Sequence, residues 1–134
     1  MKFIFLLFIT LISSSLTFAY DFDSLSELIK KGKESQAIKR LNQYIQKYPN
    51  DPEVNFIYGA TLDHFGKTQE AKKVFLQLNT KYPNNSTIHN NLGVLYAKLG
   101  EYSAAYTFFE SALRLKPNYQ EARNNLRFVQ QTIN

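Results

Sequence analysis

One displacement constrains this chain more than any other feature. Gly93 stands 34 residues after Gly59, Gly100 after Gly66, Ala105 after Ala71, Phe109 after Phe75 and Pro117 after Pro83. A second step of 34 carries Gly66 back to Gly32, Ala71 to Ala37 and Pro83 to Pro49, whereas Gly59 falls on Leu25 and Phe75 on Leu41. A chain that repeats at such a period forms an array. Each unit leaves an apolar face that only its neighbour can cover, and about three units are needed before the array is stable. Three units are present, at about 20–51, 52–85 and 86–119, and the first has changed at two of its markers.

Within a unit the pattern is helix, turn, helix. In 86–119 the first helix carries Leu92, Gly93 and Tyr96 on one face, Gly100 breaks the periodicity, and Ala105, Phe109 and Ala112 recur on the second helix up to Pro117. Small residues stand where two helix backbones approach and large ones fill the space between. Leu-Gly, Tyr, Ala, Phe and Pro at these offsets closely match the tetratricopeptide signature. The stretch therefore resembles a tetratricopeptide repeat, with His89 where the signature has Trp. The resemblance covers almost the whole chain after residue 19. It implies an all-α, right-handed α-solenoid of three two-helix units, closed by a C-terminal capping helix over 120–134.

The start of the chain reads differently. Lys2 precedes an apolar run from Phe3 to Ile12, three serines follow, and Thr17-Phe18-Ala19 gives a small-x-small site. This is the layout of a secretory signal peptide over 1–19, with Tyr20 as the new first residue after cleavage. The alternative is an uncleaved anchor, because Phe3 to Tyr20 is just long enough to span a bilayer. No Cys follows the run, which excludes a bacterial lipoprotein. The chain is expected to be exported, to the periplasm, the cell surface or the medium.

Local signals fix the helix ends. Asp51-Pro52-Glu53 is a capping acid, a first-turn proline and a first-turn acid. Ser24 with Glu27 and Asn118 with Glu121 have capping-box spacing, so the first helix is expected to begin at Ser24 or at Asp21 and the last near Asn118. Asn84 and Asn85 each open an Asn-x-Ser/Thr triplet, and both lie where a unit needs a polar turn.

Composition excludes several chemistries. There is no Cys, so disulfides, thiol catalysis and thiolate metal sites are absent. The two His, His64 and His89, lack metal-ligand spacing, and no Gly-rich phosphate loop exists. His89 sits at a packing position, where a half-buried imidazole is the ordinary outcome. No catalytic group, metal or cofactor is expected, and the chain is read as a non-enzyme. Net charge is +5, and Lys30, Lys31, Lys33, Lys39 and Arg40 cluster in the first unit. Such a cluster is an ordinary solvated face, or it contacts an anionic envelope surface. Nucleic acid is not an expected partner of an exported chain.

The candidate binding residues come from helical spacing. Unit positions 4, 7, 8 and 11 pack the repeat, and positions 5, 9, 12 and 13 fall on another face of each first helix. By the resemblance, that face lines a concave groove that grips peptides. It holds Phe56, Ala60, Asp63 and His64 in the second unit, Asn90, Val94, Ala97 and Lys98 in the third, and Phe128 in the cap helix. Phe56, Val94 and Phe128 are expected to offer an apolar pocket, or to be buried by the cap or a partner. The family's backbone-binding Asn at position 6 is matched by Asn91 and Asn125 and not by Ile57. The positions used by some members to clamp a C-terminal carboxylate hold Phe22, Ser26, Ile57, Thr87 and Asn91, with no cation. The expected function is an exported protein–protein interaction module, an adaptor or assembly factor holding a protein or peptide segment in its groove. The alternative is a self-associating or membrane-tethered scaffold.

Overall fold

Asp51 starts a fully capped helix: its carboxylate accepts from the Glu53 and Val54 amides, and Pro52 occupies the first helical position. The computed structural model describes residues 20–134, so the leader reading for 1–19 falls outside the described residues. Seven helices make up the described chain: α1 Phe22–Lys30, α2 Glu34–Lys47, α3 Pro52–His64, α4 Thr68–Lys81, α5 Ser86–Lys98, α6 Tyr102–Leu115 and α7 Gln120–Ile133. α3, α5 and α7 start 34 residues apart, and so do α2, α4 and α6. Each helix packs on the next in sequence, and α5 also touches α7. This is an α-solenoid.

The turn inside each unit is the same device three times. Gly100 lies at φ +77°, a region L side chains avoid, and Gly32 and Gly66 adopt the same conformation. Around it the Glu101 amide reaches back to the Tyr96 carbonyl at 2.9 Å and the Gly100 amide to that of Ala97 at 3.0 Å. That pair of bonds is the Schellman closure, which satisfies carbonyls left over at a helix end.

Between α3 and α4, and between α5 and α6, glycine meets phenylalanine. A Cβ added at Gly93 would lie 2.5 Å from Phe109 Cε1, and one at Gly59 would lie 2.8 Å from Phe75 Cε2. Both rings are fully buried. In the first unit the equivalent pair is Leu25 and Leu41, again fully buried and in one cluster. Two changes that look like decay in the sequence are one compensated exchange, in which a larger residue on one helix faces a smaller one on the other.

The N-terminal edge is closed by rings. Tyr20 is buried and its hydroxyl donates to Asp51 Oδ2 at 2.8 Å. Phe22, Tyr44 and Tyr48 surround it with ring centroids 5.1, 5.1 and 5.2 Å away. Burial, and then the bond to Asp51, push the Tyr20 phenol well above its ordinary value. Asp21, not Ser24, caps α1 by accepting the Ser24 amide. At α7 the expected cap Asn118 is not used either. The N-cap is Tyr119, 34 residues after Asn85, and it makes no side-chain capping bond.

Candidate functional site

The inner face is built from α3, α5 and α7. Those helices start in a common register, and the side-chain bonds between neighbours among them join residues 35 apart. The structure joins the candidates in two groups. At the C-terminal ends, the Lys98 ammonium of α5 lies 2.5 Å from Asp63 Oδ2 of α3. Thr68 Oγ1 donates to the other Asp63 oxygen at 3.0 Å. The Asp63 side chain is 2% exposed and that of Lys98 30%, so a buried acid is held by a partly open base. At the N-terminal ends, the Asn125 amide of α7 donates to Asn90 Oδ1 at 3.2 Å, and Asn90 Nδ2 donates to the Tyr119 hydroxyl at 3.4 Å. Burial, with Glu121 next in weight, raises the Tyr119 phenol above its usual range.

Asn91 stands apart. Its residue is 9% exposed, and its side chain makes no hydrogen bond to any described residue. His64 is exposed, with its ring edge-on to Phe65 at 5.0 Å. Ala60 is buried at 2%.

The three apolar candidates do not form the expected single pocket. Phe56 sets its ring edge-on to Phe75, 5.1 Å between centroids, and packs on the core shared by α3, α4 and α5. Val94 is buried in a different cluster, with Ala105, Phe109 and Val129, and Phe128 packs against that same cluster. Burial by the cap helix, not an open apolar groove, is what α7 gives Val94. A cleft of about 440 Å³ does exist on another side, lined by Pro49, Asn50, Pro52, Val74, Leu78 and Tyr82 among others.

The basic cluster of the first unit is partly compensated. Lys30 and Lys31 both approach Glu27, at 3.7 and 3.5 Å. Arg40 bonds Ser24 and lies 3.8 Å from Asp21. Lys33 and Lys39 are exposed. Among the described residues no group of acids and histidines is placed to hold a metal, and no helix is long and apolar enough to cross a membrane.

One recurrent contact was missed from the sequence. At unit position 4, Asn55 Nδ2 donates to the Pro49 carbonyl at 3.1 Å, His89 Nε2 meets the Pro83 carbonyl at 2.7 Å, and the Arg123 guanidinium donates to that of Pro117. Three different side chains supply one N–H to the same carbonyl, six residues back. The signature's Trp carries an N–H as well. The available signal was hydrogen-bonding capacity, which a comparison of residue types does not reveal. His89 is half-buried with its other ring nitrogen unpartnered, as its packing position implied.

A family model described as the N-terminal TPR repeats region of Psidin matches residues 23–129. The chain belongs to this tetratricopeptide repeat family. No curated protein sequence matches it. Solved tetratricopeptide domains share its fold. The first TPR of Spaghetti (RPAP3) bound to HSP90 peptide SRMEEVD superposes with TM-score 0.74 at 21% identity, over 83% of this chain and 88% of that one. The first TPR domain of human RPAP3 gives 0.75 at 20%, over 88% and 91%. The second, in complex with HSP70 peptide SGPTIEEVD, gives 0.71 at 22%, over 81% and 91%.

Proposed function

We propose that this tetratricopeptide repeat protein is an exported, non-catalytic interaction module that holds a protein or peptide segment against the inner face of α3, α5 and α7. Export rests on the charged start, apolar run and Ala19 site of the sequence; an adaptor or assembly role among envelope proteins is the reading that fits it. Two structural neighbours are described with bound peptides, which supports a peptide as ligand here.

The observation that carries the reading is Asn91. Its amide is not enclosed as the orphaned polar atoms of Thr61, Asn79 and His89 are, so a ligand can reach it. Its neighbour Asn90 is engaged on both sides, by Asn125 and Tyr119, while Asn91 retains a donor and an acceptor for a ligand backbone. The test is capture of the partner from an envelope fraction, followed by titration calorimetry. Asn91→Ala should weaken binding several-fold, by about 1 kcal/mol for one lost hydrogen bond, with helicity unchanged. Lys73→Ala, at an exposed position of α4, should have no effect. Equal losses from both substitutions would move the binding surface off the inner face.

A further inference from the structure

Over unit positions 5, 9, 12 and 13, which define the inner face, the charged residues are Lys30, Asp63 and Lys98. Lys30 belongs to the first helix, is highly exposed and leans toward Glu27. The face therefore has one central cation, Lys98, and one acid, Asp63, in direct contact at 2.5 Å. Nothing equivalent repeats: the residue 34 before Asp63 is Ile29, and the residue 34 after Lys98 is Thr132.

The two partners are not equally free to part. Lys98 could swing its flexible stem into water, but Asp63 is almost fully buried, with Thr68 as its other partner. Taking the ammonium away leaves a buried carboxylate uncompensated, which is strongly unfavourable. A ligand carboxylate that approaches Lys98 therefore either displaces Asp63 or shares the ammonium with it, beside a second negative charge. We propose that Asp63 sets the charge preference of the inner face: by neutralising Lys98 it leaves the centre of the face without an uncompensated cation, so that centre takes uncharged segments and refuses acidic ones. This rests on the inner face being the binding surface, and it names the class of segment bound. It also separates this chain from the neighbours described with SRMEEVD and SGPTIEEVD, both of which are acidic.

The experiment uses the full chain and two peptides. One is SRMEEVD; the other is the same peptide with its acids replaced by their amides and its C-terminus amidated. Binding is followed by fluorescence anisotropy at low salt. The wild type should bind the amidated peptide more tightly than the acidic one. Asp63→Asn keeps an acceptor for Thr68 and releases Lys98, so it should favour the acidic peptide by about tenfold, the effect of one charge-assisted hydrogen bond. Adding Lys98→Gln to Asp63→Asn should abolish that gain. A wild type that binds the acidic peptide as tightly as the amidated one, or more tightly, overturns the proposal, and that arm needs no variant. An Asp63→Asn chain that melts cooperatively and gains nothing also overturns it. The inner-face reading is judged separately, by Asn91→Ala and Lys73→Ala against the captured partner, and it survives either failure.

Discussion

The sharpest structural test is to overfill the contact at Gly93. An added Cβ would lie 2.5, 2.6 and 2.8 Å from Cε1, Cδ1 and Cζ of Phe109. Carbon atoms normally rest about 3.5–4.0 Å apart, so the ring or the helix must move by about 1 Å for an alanine and further for a leucine. Phe109 is fully buried in one cluster with Val94, Ala105 and Val129, so moving the ring disturbs packed neighbours. Overpacking of this kind costs about 1–3 kcal/mol and can cost more. Gly93→Leu should lie at or above the top of that range. Gly93→Ala should cost less, because alanine also recovers about 0.5–1 kcal/mol of helix propensity. Since a domain of this size, between the small and large classes, loses roughly 3–6 °C per kcal/mol, the leucine variant should melt about 10 °C lower. The first unit supplies the rescue, because it has Leu25 and Leu41 at the equivalent positions. Gly93→Leu with Phe109→Leu copies that pair into the third unit and should recover most of the loss, giving a favourable interaction energy in a double-mutant cycle. The assay is thermal and urea unfolding followed by circular dichroism. A single variant that melts with the wild type, or a double variant no better than the single, would refute the packing argument.

The other predictions concern contacts that the register makes specific. His89→Leu removes the donor to the Pro83 carbonyl and should cost about 1 kcal/mol, whereas His89→Asn, copying Asn55, should cost less; urea midpoints decide. Lys72→Ala should lower stability by about 1 kcal/mol, because Lys72 pairs with Glu101 at 2.9 Å and lies 4.7 Å over the Tyr96 ring; Lys73→Ala should be neutral in the same melt. Tyr20 has a raised phenol ionisation, caused first by burial and then by Asp51. Its protonated form is favoured in the folded state, so its contribution is complete below about pH 10, the unfolded value, and falls as pH rises toward the folded one. Tyr20→Phe should therefore be less stable at neutral pH and lose less stability than the wild type under alkaline conditions. Parallel alkaline profiles for the two would count against the buried hydrogen bond to Asp51.

What could be read in advance divides along a physical line. Helix starts, turns and unit boundaries depend on local chemistry, such as Asp51 before Pro52 or a left-handed Gly100, and local chemistry is written in consecutive residues. Contacts between units are not. Phe56 falls on the inner stripe by helical period, yet its ring reaches Phe75, because stripe membership says nothing about how far a large side chain leans toward its neighbour. Lys72 has the exposed, outward look of a lysine on a second helix, but its long stem spans to the next unit and ends between Tyr96 and Glu101. The cap of α7 shows the opposite case. Asn118 has the better chemistry, yet the 34-residue register places Tyr119 at the cap, and register prevails because the packing of α7 on α5 and α6 fixes where the helix begins. Tyr119 then turns its hydroxyl to Asn90 instead of capping. In a repeat array the equivalent position in a neighbouring unit thus predicts more than the residue's own preference. Position 4 carries the same logic further: what is kept there is an N–H aimed at a proline carbonyl, and asparagine, histidine and arginine are three ways to supply it.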